Sequence, residues 1–363
     1  MLTVAQILSL KPLPLSLLDT APVGVTATTT DALRTTIAMG VRADQLGLTR
    51  MWVAEHHGMP GIASSAPAVL ISAIAAATKR IRVGSGGVML PNHAPLVVAE
   101  QFGTLAALYP ERIDLGLGRA PGTDPRTAAA LRRSTGQLSA EDFPQQLGEL
   151  ACFLSGEFPE GHPYRQVGAV PHATHVPPIW LLGSSDYSAQ LAGLLSLPFA
   201  FAHHFSGGNT LTAFRVYRDA FRPSEHLPEP YAMVTAQVMC AETDEDARRL
   251  ALPSALGFVR LRQGRPGPVP TIQQAQDHEW TEMELAFVEE RWANQAIGSR
   301  ETVVERLGNL LAATQADELM ITVQAPAEDD RIRSLELTRE LFGPDELPRG
   351  LADAGVLSLP RVG

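Results

Sequence analysis

Residues 81–122 read IRVGSGGVMLPNHAPLVVAEQFGTLAALYPERIDLGLGRAPG. An apolar run, Ile81–Leu90, stops in a polar cluster; a helix-like stretch over Pro95–Leu108 follows, and a second apolar run, Ile113–Leu117, stops in GRAPG. Strand, polar loop, helix and strand again make a parallel βαβ unit. The grammar repeats outward in LSLLDTAP (15–22), MWVAEHHG (51–58), IWLLGSSDYS (179–188) and FAFAHHFSGG (199–208). Between the first two runs, DALRTTIAMGVRADQLG (31–47) sets Leu33, Ile37 and Val41 four apart and ends at Gly47, as a helix with a glycine stop does. Adding Met233–Cys240 and Leu319–Val323 brings the expected strands to eight. The sequence therefore predicts an α/β fold, a (β/α)8 TIM barrel, in which chemistry gathers at the carboxyl ends of the strands.

All 363 residues are expected to form a single barrel domain, since such barrels routinely exceed 250 residues and no linker-like stretch divides the chain. Two segments break the rhythm. Residues 154–178 are rich in Gly, Pro and His and predict a surface excursion before the fifth strand. Residues 257–299 predict an insertion between strand seven and strand eight: RLRQGRPGPVP opens with helix breakers, and the amphipathic EWTEMELAFVEERW follows. A mobile cover over the active face is the expectation there. The tail, 344–363, reads as irregular.

Hydrophobic residues make up 45% of the chain and charged residues 19%, which provides for a large apolar interior and argues against disorder. A net charge of −10 with scattered Lys and Arg offers no basic stripe for a phosphate backbone, so nucleic acid is not an expected partner. No apolar stretch approaches the roughly 20 residues needed to cross a bilayer, so no membrane partner is expected either. Cys152 and Cys240 have neither metal-site spacing nor the numbers for a disulfide framework, and the first residues lack a signal-peptide pattern. A cytoplasmic location is the expectation.

The polar stops carry the candidate chemistry. Gly86 and Gly87 interrupt a strand, which suits either a bulge or a flat ligand approaching the backbone. Ser184 and Ser185 precede a helix and suit either plain capping or an anion at the helix N-terminus. Arg119 ends strand four, as a phosphate fork or a salt-bridge partner. The pairs His56–His57 and His203–His204 are read as one site-facing imidazole each, with no metal: neighbouring strand residues point to opposite faces and no H-x-H occurs.

EHHGMPG after strand two, VGSGGVMLPNH at strand three, RIDLGLGRAPGTD at strand four and GSSDYSAQLA at strand five together resemble the bacterial luciferase-like flavin monooxygenases, over almost all of residues 13–343. The likeness is to the single-chain oxidoreductases of that family more than to luciferase. It implies the (β/α)8 barrel, and reduced FMN supplied by a separate NAD(P)H:flavin reductase. With O2, that flavin would give a C4a-hydroperoxyflavin that oxygenates a small organic substrate. Alternatives are hydride transfer with the deazaflavin F420, and a non-catalytic flavin-binding protein. The resemblance also implies a homodimer and a non-proline cis peptide between Gly86 and Gly87. His56, with Glu55 before it, would be catalytic. The cofactor would be held by Ser85, Gly86, Gly87, Arg119, Ala120, Gly183, Ser184, Ser185, Tyr187 and His203. Gly118, Gly183 and His203 stand where luciferase has a cysteine, an acidic residue and a tryptophan.

Overall fold

A computed structural model describes residues 13–120, 122–132, 142–172, 175–205 and 207–343; the expected irregular tail lies outside the described residues. Its strands are β1 (Leu15–Asp19), β2 (Arg50–Val53), β3 (Arg82–Met89), β4 (Ile113–Gly118), β5 (Ile179–Gly183), β6 (Phe199–Phe201), β7 (Ala232–Cys240), β8 (Ala296–Gly298) and β9 (Glu318–Thr322). Hydrogen-bonded neighbours run β6, β5, β4, β3, β2, β1, β9, β7, and a β6 to β7 pairing closes the ring. Every pairing is parallel. Eight strands thus form the TIM barrel that the apolar runs predict. The short β8 stands outside it and extends the far end of β7 through Val238–Cys240.

The helices are α1 (Thr29–Gln45), α2 (Pro67–Ala77), α3 (Pro95–Leu108), α4 (Pro125–Arg132), α5 (Phe143–Ser155), α6 (Asp186–Leu194), α7 (Thr210–Ala220), α8 (Asp244–Arg262), α9 (Ile272–Gln276), α10 (Glu282–Ala293), α11 (Arg300–Thr314) and α12 (Glu328–Glu340). The α1 helix starts at a capping box between Thr28 and Asp31. It stops at Gly47, whose φ of 74° is easy only for glycine. No described helix is long and apolar enough to cross a membrane.

The start of residues 257–299 differs from the expectation of helix breakers. The α8 helix runs through Gly257 to Arg262 because Val259 packs with Ala255 and Val288 under Trp280, Phe287 and Trp292. Tertiary burial there outweighs the glycine's weak helix propensity. Val269 then bonds the β1 loop in both directions, its N–H donating to Val23 O and its carbonyl accepting from Val25 N–H. Two helices, α4 and α5, occupy the β4 to β5 connection, where none was expected. After Ser155 the excursion has no regular element among its described residues.

The barrel's closed end is ionic and dry. Arg50, fully buried, donates through Nε and Nη2 to both carboxylate oxygens of Glu318 (2.7 and 3.2 Å) and through Nη1 to Asp114 (2.7 Å). Arg82 and the Trp52 indole bind Asp114 as well, and Ser16 and Tyr231 donate to Glu318. Burial pushes the Asp114 carboxyl up, but the Arg50 and Arg82 cations more than offset this and hold it below its ordinary value. A lowered folded pKa means stability present above about 3.8 and lost on further acidification.

Arg50→Met is expected to lower unfolding free energy by about 3–5 kcal/mol in urea denaturation, because it strands Glu318 without its buried cation. A loss below about 1 kcal/mol would show that the network is not what closes this end.

Candidate active site

The polar stops of the sequence all reach the same, carboxyl-terminal, face of the barrel: Thr20 after β1, Glu55 to His57 after β2, His93 after β3, Arg119 after β4, Ser184 and Ser185 after β5, His203 and His204 after β6. Under this face the lumen is filled by Leu18, Trp52, Trp180, Ala200, Met233 and Met320. The two indoles meet edge to face, with centroids 5.2 Å apart.

Close packing against Trp52, Leu18 and the β4 backbone explains the glycines of β3. A Cβ on Gly84 would lie 2.8 Å from Trp52 Nε1, and one on Gly86 would lie 2.7 Å from Leu18 Cδ1 and 3.1 Å from Trp52 Cβ. On Gly87 it would meet the Gly116 carbonyl oxygen at 2.8 Å. The Gly86–Gly87 peptide is cis, as the resemblance implies. The β3 to β4 register shifts between Ser85 and Val88, so the bulge reading describes the backbone. Ser85, fully buried, spans that shift: its hydroxyl donates to Gly116 O (2.8 Å) and accepts from Gly116 N–H (3.0 Å). Its side chain is thereby committed to β4.

Glu55 is also fully buried. Its Oε1 lies 2.8 Å from both His57 Nε2 and His93 Nε2, and its Oε2 accepts from Met89 N–H. Burial raises its pKa, yet the bonds from His93, His57 and Met89 prevail and hold it low. It is an ionised anchor between two imidazoles. The three residues bring possible ligand atoms within 4.8 Å of one another, a donor set that the no-metal expectation overlooked because it sought H-x-H. Glu55 and His57, two apart, do share a side, and His93 arrives from the β3 loop.

Each histidine pair divides into a bonded ring and a freer one, with His57 the bonded ring of the first pair. His56 keeps its backbone N–H on Ser64 O, while its ring Nδ1 is buried and unpartnered. Burial pulls its pKa down, His57 adds to this and Glu55 opposes it, so the imidazole is neutral at pH 7. In the second pair, His203 is the engaged member: Nδ1 lies 2.7 Å from the Thr210 hydroxyl and Nε2 3.1 Å from the Asn294 carbonyl oxygen. His204 is the ring with an unpartnered buried Nδ1, and burial takes its pKa to about 4. The residue expected beside the flavin, His203, is tied to α7 and to the residue after α10, and its neighbour has the freer ring.

Arg119 and Tyr187 do come together, with the guanidinium carbon 4.2 Å above the phenol ring. Among the described residues no carboxylate pairs with Arg119. Ser185 holds the N-cap of α6 in extended geometry without a side-chain cap bond, so its hydroxyl is not consumed by capping. Asp186, the acid in that first turn, is bonded by Asn209 (2.7 Å). The cation, the ring and the helix N-terminus suit a phosphate. Gly183 is close-packed, since a Cβ there would meet the Ser188 side chain at 2.7 Å, and Ala120 is exposed.

The profile described as luciferase-like monooxygenase matches residues 14–318. An Escherichia coli K12 protein named luciferase-like monooxygenase is 43% identical over 332 residues, spanning 91% of this chain and 97% of that one. The N-acetyl-S-alkylcysteine monooxygenase of Bacillus subtilis is 35% identical over 317 residues, 85% of this chain and 91% of its own. The crystal structure of apo-MsnO8 superposes with a TM-score of 0.83 at 38% identity, covering 93% of this chain and 98% of that one.

Burial of His204 makes the stability of the fold depend on pH. With its pKa at about 4 folded and 6.5 unfolded, the unfolded state binds the extra proton between those values. Stability should therefore fall as pH drops from 6.5 toward 4, by up to about 1.4 kcal/mol per pH unit, and level off below. Denaturation midpoints of His204→Gln across that window should fall less steeply than those of the native chain; parallel curves would contradict the burial of a neutral ring.

Proposed function

Because the chain belongs to the luciferase-like monooxygenase family, we propose that it is a flavin-dependent monooxygenase that oxygenates a small organic molecule. Reduced FMN would arrive from a separate NAD(P)H-linked reductase, and O2 is the co-substrate. The observation that carries the reading is Arg119: a cation without a described carboxylate, stacked on Tyr187 beside the N-terminus of α6. That arrangement suits a phosphate dianion.

When bound, the reduced flavin supplies the electrons that activate oxygen. The chain's own groups do the rest. Arg119, Ser184, Ser185 and Tyr187 would hold the phosphate end. The backbone at Ser85, Gly86 and Gly87 would receive the ring, and the tryptophans that fill the lumen would help to exclude water. His56 holds or moves a proton at its neutral ring, where Nδ1 has no protein partner. Glu55 positions the loop beside it through His57 and His93. Residues 257–299 cover the face and open for exchange. The name of the Bacillus subtilis relative, N-acetyl-S-alkylcysteine monooxygenase, supports a small organic substrate. We place the protein in the cytoplasm as a homodimer.

Arg119→Ala is the decisive variant. Charge-assisted hydrogen bonds contribute about 1.5–3 kcal/mol, so FMN affinity should fall about ten- to a hundredfold while riboflavin, which lacks the phosphate, binds nearly as before. Fluorescence titration reads both. Equal losses for the two ligands would assign Arg119 a structural role.

A further inference from the structure

On the same face, against the loop that follows β6, α8 and α10 exchange arginines. Arg262 of α8 stacks on Phe287 of α10 at 4.7 Å, and Arg291 of α10 stacks on Phe258 of α8 at 3.4 Å. Among the described residues neither guanidinium has a carboxylate within salt-bridge distance. Arg291 is partly buried and its Nη2 donates only a long bond, 3.4 Å, to the His204 carbonyl oxygen. Burial lowers its pKa to about 10, which still leaves it charged at pH 7. Both arginines and Phe287 line one cavity of about 270 Å³. His204, with its buried, unpartnered Nδ1, lines it too.

A half-buried guanidinium with no acid is costly unless something negative comes to it. In a chain of net charge −10, two cations in one hollow, Arg291 partly buried and Arg262 exposed at its rim, are a local exception to the surrounding field. Glu290 is the acid that lines the hollow, and it pairs with neither arginine. A second cavity, lined by Pro22, Met59, Ile62, Phe258, Leu261 and Val269, opens across Phe258, the ring under Arg291. An apolar wall thus adjoins the cationic one.

We propose that the organic substrate is an anion, a carboxylate or sulfonate with an apolar body, and that Arg291 and Arg262 seat its charged group. The proposal rests on the oxygenase reading above and is separable from it. Arg119 serves the flavin phosphate on the β4 and β5 side, and the Arg291 hollow serves the substrate between β6 and the α8 and α10 helices. The phenyl rings restrict each guanidinium while leaving its N–H groups without a carboxylate, so both are available to an incoming oxyanion pair. His204 offers an imidazole N–H to the same group.

The test uses the full chain loaded with oxidised FMN and titrated calorimetrically with hexanoate, hexanesulfonate and 1-hexanol. The acids should bind saturably and weaken with added salt, while the alcohol should bind at least about tenfold less tightly. Arg291→Met, which keeps an apolar contact on Phe258, should cost the acids at least about tenfold and leave FMN affinity unchanged. Arg262→Met, at an exposed position, should weaken the acids in the same direction and serves if the first variant misfolds. Equal binding of acid and alcohol, or unaltered acid binding in both variants, would overturn the proposal. So would a loss of FMN affinity in Arg291→Met, which would assign the hollow to the flavin. Acid binding that persists in a chain that takes up no FMN would leave the anion site standing and remove the flavin reading alone.

Discussion

Arg50 carries its charge at the closed end of the barrel with no surface exposed, and the rest of the molecule is arranged around that fact. A buried cation must be paired on all its donors. It therefore recruits β9 through Glu318 and β4 through Asp114, and Asp114 in turn recruits Arg82 from β3. The guanidinium also lies 4.8 Å from the Trp180 ring, which fixes the layer above. Five strands are thereby registered at one end before any catalytic group is considered. The indoles of that layer take up the lumen, and glycine on β3 follows because a Cβ would collide with Trp52, Leu18, Leu182 or the β4 backbone.

The open face then has polar groups sorted by burial. Glu55 stays ionised because two imidazoles and a backbone N–H converge on it. His56 and His204 are neutral because burial disfavours their charged forms, and their Nδ1 atoms have no protein partner. Arg119 and Arg291 are both stacked on aromatic rings and both lack a described carboxylate, one at the end of β4 and the other against the loop after β6. A barrel with an overall acidic charge thus keeps two cationic seats, suited to two different anions that would meet over the lumen.

Much of this was legible in the sequence. Apolar runs that stop in polar clusters decided the barrel, since parallel strands buried on both faces leave no other pattern. Arg119 and Tyr187 were named for one cradle and lie together. The helix α5 was missed although Phe143, Leu147, Leu150 and Leu154 keep its period, because the Gly- and Pro-rich stretch that follows drew the reading toward a loop. The extension of α8 through Gly257 depends on Val288 and Trp292, more than thirty residues on, which no local signal contains. His93 as a partner of Glu55 and the exchange of roles between His203 and His204 are consequences of where loops turn. Strand alternation cannot foresee them, since the strands have ended by then.

The central claim is that this face takes up reduced flavin and governs its reaction with oxygen. The most direct measurement is an anaerobic titration of the full chain with reduced FMN, followed by admission of O2 while the oxidised-flavin absorbance is recorded. A flavin monooxygenase should bind reduced FMN saturably, one per chain, and bound flavin should return to the oxidised form on a slower time course than free flavin under the same oxygen. Reoxidation at the free-flavin rate, or uptake of reduced F420 with none of reduced FMN, would contradict it.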